Sequence, residues 1–278
     1  MVRLFKAFLY KISKDITFRI TLIIGAGIAV FMTVLYLALQ NLAADELGEG
    51  VKFLSGQGML LSSMSPMQNF GIAIPVNLIT FTCLEFTQGT IRNKIIAGHS
   101  KFKIYASLYL SGLVFTFLLL GTYILICTGL GTIFGGFNLE DMVYTGLFAG
   151  QVNVEHIIKM IVICIFTYVS IVSFTIFFAT LFRNIGPTIP VVIIGLMMCY
   201  LFASIFTAMA VLLEDSDAAL NVLRIIDPLY AISSSETNDA GVIVMSNATF
   251  IAGIANNLVY AAIFFAFGSL IFSKRDVK

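Results

Sequence analysis

At 278 residues, 59% of them hydrophobic and 11% charged, the chain has a mean hydropathy of +0.99. Soluble domains carry about a quarter charged residues, so a water-covered globule is excluded and an integral membrane protein is implied. The formal net charge of +1 gives no reason to expect nucleic acid; where the charges lie says more than their sum.

Ahead of the first apolar run, Phe5, Phe8, Leu9, Ile12 and Ile16 follow helical spacing, with Arg3, Lys6 and Lys14 off that stripe. This suits an amphipathic helix over Leu4 to Phe18 that lies at the membrane interface and touches lipid. Six apolar runs follow: Ile20–Gln40, Phe70–Phe86, Ile104–Phe134, Ile157–Phe182, Pro187–Leu213 and Thr249–Phe272. Each approaches or exceeds the roughly 20 residues a helix needs to cross about 30 Å of hydrocarbon, whereas buried strands stop after about 4–8. The second is the shortest and reaches full length only with Met67 or Thr87 included. The expected fold is therefore all-α, one membrane domain over 1–278, with spans at about 20–40, 67–87, 104–134, 157–182, 187–213 and 249–272. The first run follows a basic start and precedes Ala43-Ala44, as a signal peptide would. It outruns the usual 7–15 apolar residues of such segments and is kept as a span.

Between the first two spans, "LSGQG" (Leu54 to Gly58) is close to the LSGGQ signature of ATP-binding-cassette nucleotide domains. A nucleotide site also needs a Gly-rich loop with Lys and Ser/Thr, and the sequence has no Gly-Lys pair. The segment reads as a flexible Gly/Ser loop, and this chain is not expected to bind ATP. In the second span, Pro75 predicts a kink that frees a backbone carbonyl. Asn77 and Thr80 beside it either face a translocation path or hydrogen-bond neighbouring helices. Glu85, near the end of that span, pairs with Arg92 or Lys94, caps local amides, or stands as a plain interfacial carboxylate.

The stretch "FTQGTIRNKIIAGHSKFKIY", Phe86 to Tyr105, is short, basic and flanked by apolar runs. Thr90 is placed to cap a two-turn helix over Ile91–Ala97, Gly98 to stop it and Ser100 to cap the third span. Ile91 and Ile95 share one face, while Arg92 and Asn93 point elsewhere. Such a helix is either a basic loop resting on lipid headgroups or a docking element for a cytoplasmic protein. We adopt the second reading, with Ile95 on the docking face.

Beyond the last tight turn, the loop Glu214–Ala248 contains "ALNVLRIIDPLYAI", apolar enough to lie on or dip into the outer leaflet and broken at Asp227-Pro228. All but Lys52, Lys159 and Arg224 of the 16 basic residues fall in the N-terminal segment, the second–third and fourth–fifth connections and the C-terminus. The other loops hold Asp45, Glu46, Glu49, Glu140, Asp141, Glu155, Glu214, Asp215, Asp217, Asp227, Glu236 and Asp239. The positive-inside rule then puts both termini in the cytoplasm. Cys83, Cys127, Cys164 and Cys199 all fall inside spans and read as ordinary thiols. Catalysis at membrane depth needs ionisable groups. HExxH, GxSxG and paired glutamates are absent, and His99 and His156 lie in loops on opposite sides. No metal or cofactor of the chain's own is expected.

An amphipathic basic N-terminus, a second span ending in Glu85, then Gly89-Thr90-x-Arg92-x-Lys94, a short helix, Gly98, Ser100-Lys101 and Ile104-Tyr105 resemble type 2 ABC exporter permeases. Topology resembles that family over the whole chain; the sequence motif is concentrated between Glu85 and Tyr105. The resemblance implies that the short helix is a coupling helix seated in a cleft of a separate ATP-binding-cassette ATPase, which holds ATP and Mg. Glu85, Gly89, Thr90, Ile91, Arg92, Lys94, Ile95 and Gly98 are then the partner-coupling residues, and Pro75, Asn77 and Thr80 border the path. It further implies that the N-terminal helix is a connecting helix on the cytoplasmic surface. Short helices between the fifth and sixth spans would cap the exit, and a second permease copy or sister permease would complete the pathway in a bacterial plasma membrane. The function expected is a permease subunit exporting an amphipathic or hydrophobic substrate, such as an antimicrobial peptide, lipid or drug. The chain itself would not be an enzyme. An ATP-independent secondary carrier or channel is the alternative.

Overall fold

The computed structural model describes residues 2–14, 16–47, 55–66, 72–137, 143–145, 148–152, 154–212, 229–233, 236–237 and 242–275. Ten helices and four short strands are described: α1 Val2–Lys14, α2 Ile16–Leu47, α3 Gly56–Met64, α4 Ala73–Thr87, α5 Thr90–Ile96, α6 Lys101–Gly135, β1 Val143–Thr145, β2 Phe148–Val152, α7 Val154–Phe182, α8 Ile185–Leu212, α9 Tyr230–Ser233, β3 Glu236–Thr237, β4 Val242–Val244 and α10 Asn247–Lys274. Among the described residues five helices are long and apolar enough to cross a membrane: Phe18–Ala38 within α2, α6, α7, Ile185–Phe202 within α8, and α10. By that measure the chain is a multi-pass helical membrane protein. The run expected as the second span is the apolar helix α4, which has 15 residues in the described part.

The most deeply buried of the five is α7, and α10 packs along it. Its interior face is unusually rich in hydroxyls, with Thr167, Ser173 and Thr175 fully buried. In hydrocarbon such groups must find acceptors inside the protein. Ser173 donates to Val169 O at 2.9 Å and Thr175 to Ile171 O at 2.7 Å. Across to α10, Asn257 Nδ2 donates to Thr167 Oγ1 at 3.4 Å, the small polar contact that membrane helices use between one another. Gly268 on α10 lies where any Cβ would run into the Tyr105 ring of α6. Aromatic rings fill the rest of that seam, with Tyr109–Phe265 centroids 4.9 Å apart and Tyr105–Phe272 5.9 Å apart. At the periphery α2 and α8 leave Ile23, Phe31, Ile194 and Leu201 outward.

Two expectations change. From Ser55 to Gly58 the "LSGQG" stretch is no flexible loop: Ser55 caps α3, its Oγ accepting from the Gly58 N–H at 3.0 Å. Gly56 N–H reaches Gly136 O at 2.9 Å, and Gly131 of α6 lies against Met59. The glycines serve close packing of α3 on α6, a tertiary reason that local composition hides. Pro75 sits in the first turn of α4, where the helix has no intrahelical donor to lose, so it frees no carbonyl mid-span. The connections also carry strands. β1 and β2 pair antiparallel, β2 and β4 parallel, and β4 and β3 antiparallel, in the order β1-β2-β4-β3. That sheet joins the α6–α7 connection to the one before α10. Of the segment between α8 and α10, the described residues include the short helix α9; Glu214 to Pro228 lies outside them.

Candidate functional site: the Glu85 junction

The chain turns sharply where α4 ends. Gln88 N–H closes on Leu84 O at 3.0 Å, and Gly89, at φ +67°, takes the left-handed conformation that releases α5 at a new angle. Gly89, not Thr90, occupies the N-cap of α5. At the other end Gly98 (φ +85°) donates to Ile95 O at 2.9 Å and His99 to Lys94 O at 3.2 Å, the paired bonds of a Schellman stop. Ser100 holds the N-cap position of α6 with extended backbone, though its hydroxyl makes no cap bond. Two glycine turns thus fix a two-turn helix between two long ones.

Glu85 locks this junction. Its carboxylate is fully buried. Lys11 of α1 donates to Oε1 at 2.6 Å, and Lys94 of α5 to Oε2 at 2.8 Å. Thr90 Oγ1 lies 2.6 Å from Oε2 and 2.8 Å from the Glu85 backbone oxygen. Three elements therefore converge on one carboxylate. Desolvating the charges is expensive, and only short, charge-assisted bonds offset it. Burial, helped by Lys11 and opposed by Glu85, lowers the Lys94 ammonium below the ordinary lysine range. Lys94 also lies 3.4 Å from the centroid of the Phe8 ring, a cation–π contact in a dry setting. Phe8 continues into a ring series, 6.3 Å to Phe81 and from there 6.2 Å to Phe115, which ties α1, α4 and α6 together. Arg183, at φ +57° in the α7–α8 turn, stands 5.5 Å from the Phe86 ring at the same end.

Of the expected coupling residues, Glu85, Thr90 and Lys94 come together, with Gly89 and Gly98 at the turns. Arg92 is exposed and is no partner of Glu85. The Ile91/Ile95 face is turned inward: Ile91 is fully buried in the chain's own core, and Ile95 is half-buried against it. Ile95 therefore faces its own fold, and the exposed apolar residue of α5 is Ile96, 73% accessible. Asn77 is spent on packing, accepting from Thr21 Oγ1 of α2 and donating to Ala73 O at 2.8 Å. Thr80 bonds Val76 O of its own helix at 2.9 Å. Neither leaves an obvious polar face for a path.

Lys11 and Gln88, whose Oε1 accepts from Lys11 at 3.2 Å, were missed by the sequence reading, and Phe8 was read only as part of the interfacial stripe. Lys11 lies three residues after Phe8 and seven after Leu4, on the buried stripe of α1. A lysine on the apolar face of a helix is the signal that it reaches a buried anion. The stripe itself is recentred: Leu4 and Phe8 are buried in the core, and Ile16 belongs to α2, where it is exposed. Lys101 donates to Ser273 O at 3.0 Å and Arg275 O at 2.9 Å and so closes the end of α10.

With both carboxylate oxygens engaged by cations, the junction is built to hold an angle, and no nucleophile–base pair is found in it. Among the described residues no group of three or more His, Cys, Asp or Glu could hold a metal. The chain belongs to the DUF2705 family. The family's model, described as a protein of unknown function, matches residues 18–278. Neither a curated protein nor a solved structure matches the chain. The DUF2705 match covers α4, α5 and α6 and begins after α1, so Lys11 reaches into the matched region from outside it.

Proposed function

We propose that this DUF2705 chain is the membrane-spanning permease subunit of an ATP-driven exporter, with α5 as the element that a cytoplasmic ATPase subunit engages. In this reading the chain crosses six times, α4 included, with both termini on the cytoplasmic side, as the basic residues gathered around α1, α5 and the C-terminus favour. The observation that carries the reading is the Glu85 junction. A coupling element must be short, stiff and joined without slack to a spanning helix, and α5 is pinned to α4 and α1 through one buried carboxylate. Its free face then presents Arg92, Asn93 and Ile96. The outward apolar faces of α2 and α8 offer area for a second permease copy or a sister permease. The cargo is amphipathic or hydrophobic, and ATP and Mg belong to the partner.

The test is a pair of substitutions on α5, read by vanadate-sensitive ATPase activity in membranes of the native host after affinity capture of the full chain. Ile96→Asp should insert and fold normally yet lose the captured ATPase. Ile91→Asp should instead damage the fold, because it buries a charge in the chain's own core. Full retention of ATPase by Ile96→Asp would sink the docking role of α5. Transport by the purified chain alone, driven by an ion gradient, would replace the exporter by the secondary carrier.

A further inference from the structure

Beside the Glu85 junction a cleft of about 480 Å³ opens between the end of α1, the start of α2 and the last turns of α4. That is within the roughly 300–1,000 Å³ of ligand clefts. Lys11, Lys14 and Gln88 form its polar side, and Ile16, Phe81 and Leu84 its apolar side. Three observations bear on what it holds. First, no carboxylate is among the described residues that line it. Second, its inner wall belongs to a cluster with an unbalanced charge: Lys11 and Lys94 share the single carboxylate of Glu85. Lys11 keeps 35% of its side chain accessible and Lys14 stands exposed beside it, so an anion in the cleft would offset positive charge that Glu85 alone does not. Third, Ile16 of the apolar side is followed along the same face of α2 by the outward Ile20, Ile23 and Ile24, in the membrane-crossing part that begins at Phe18. Charge at one end and hydrocarbon at the other describe the headgroup boundary of a bilayer.

We propose that this cleft binds one anionic phospholipid, its phosphate between the Lys11 and Lys14 ammoniums and the start of an acyl chain against Ile16, Phe81 and Leu84. Glu85 stays paired with Lys11 from the inner side, so the lipid would brace the same lysine that holds α1 to α5. The proposal needs only that the chain sits in a membrane, and it stands or falls independently of any ATPase.

The experiment is native mass spectrometry of the full chain released from nanodiscs of phosphatidylcholine mixed with phosphatidylglycerol. The intact protein should retain phosphatidylglycerol in preference to phosphatidylcholine. Lys14→Gln, a change at an exposed side chain, should cut that retention about fivefold, the equivalent of about 1 kcal/mol for one basic contact. Lys103→Gln, exposed at the same end but outside the cleft, should leave it unchanged. Leu84→Trp, which fills the apolar side, should remove the retained lipid while Lys14→Gln keeps the test valid if that variant misfolds. Equal retention of the two lipids would overturn the proposal. So would equal losses from Lys14→Gln and Lys103→Gln, which would mean diffuse attraction to the surface. Displacement of phosphatidylglycerol by inorganic phosphate would also overturn it, since the occupant would then be a soluble anion.

Discussion

At the junction of α4 and α5, Lys11 stands 2.6 Å from a carboxylate with no exposure; at the other end of the bundle, Lys159 stands 2.6 Å from Glu155, which is 65% exposed. The two contacts have the same length and the same chemistry. Their surroundings make them different objects. Glu155 and Lys159 are one helical turn apart on α7, water solvates the carboxylate, and losing the pair exposes nothing new. Glu85, on α4, gathers groups from α1 and α5, and among the described residues nothing else solvates it. A short ion pair is thus evidence of mechanical importance only when its members are buried and come from different elements. The lysines sharpen the point: Lys159 also bonds Met245 O at 3.0 Å and Asn247 Oδ1 at 2.7 Å, so at that end the cation, rather than its acid, connects two helices.

The largest effect expected from this contrast is that of Glu85→Ala. It leaves Lys11 and Lys94 half-buried without their anion, and breaking a buried pair costs about 3–5 kcal/mol. The low end applies because the Lys11 side chain is 35% accessible. Thermal unfolding followed with a thiol-reactive dye suits this chain, whose Cys83, Cys127 and Cys164 are buried and free. Adding Lys94→Met to Glu85→Ala should recover part of the loss, since an apolar replacement removes the stranded charge. A double variant no better than the single one would show that the carboxylate acts through something other than charge pairing.

Next in size is Thr90→Val. Its hydroxyl donates toward the buried carboxylate, and hydrogen bonds to charged groups contribute about 1.5–3 kcal/mol. Thr90→Ser, which keeps the donor, should stay near wild type by the same dye measurement. Equal losses from both would assign the role of Thr90 to its methyl group. Lys101→Met follows, at roughly 1 kcal/mol for bonds to neutral carbonyls, read as faster exchange of backbone amides at the end of α10. Unchanged exchange there would mean that Arg275, which donates to Leu181 O, holds that end alone.

The same contrast separates what was legible in the sequence from what was not. Apolar run length identified the long helices, because crossing hydrocarbon requires every backbone group to be bonded within the segment. The stop at Gly98 was legible too, since a left-handed position selects glycine, whereas the cap expected of Thr90 belongs to Gly89. Lys11 was not joined to Glu85 because the two are 74 residues apart, and local spacing carries no information at that range. The inward face of α5 was misassigned for a related reason. Periodicity shows that Ile91 and Ile95 share a side, but it is silent on whether that side meets the chain's own core or a partner. In α3, glycine and serine suggested a loop, yet packing against α6 overrides their weak helix propensity.

Glu155→Gln should do least, and for that reason it is the sharpest control on the comparison. The change keeps the size and hydrogen-bonding reach of the side chain and removes only its charge. At a carboxylate so exposed, water replaces whatever the ammonium supplied, so the unfolding midpoint should not move. Lys159→Met should behave otherwise, because it also strips the contacts to Met245 O and Asn247 Oδ1 that hold the start of α10 against α7. Loss of stability in Lys159→Met but not in Glu155→Gln, unaltered by added salt, would locate the function of that end in the neutral acceptors. A drop in Glu155→Gln as large as that in Glu85→Ala would remove the distinction between the two ends, since burial would then not be what sets the Glu85 junction apart.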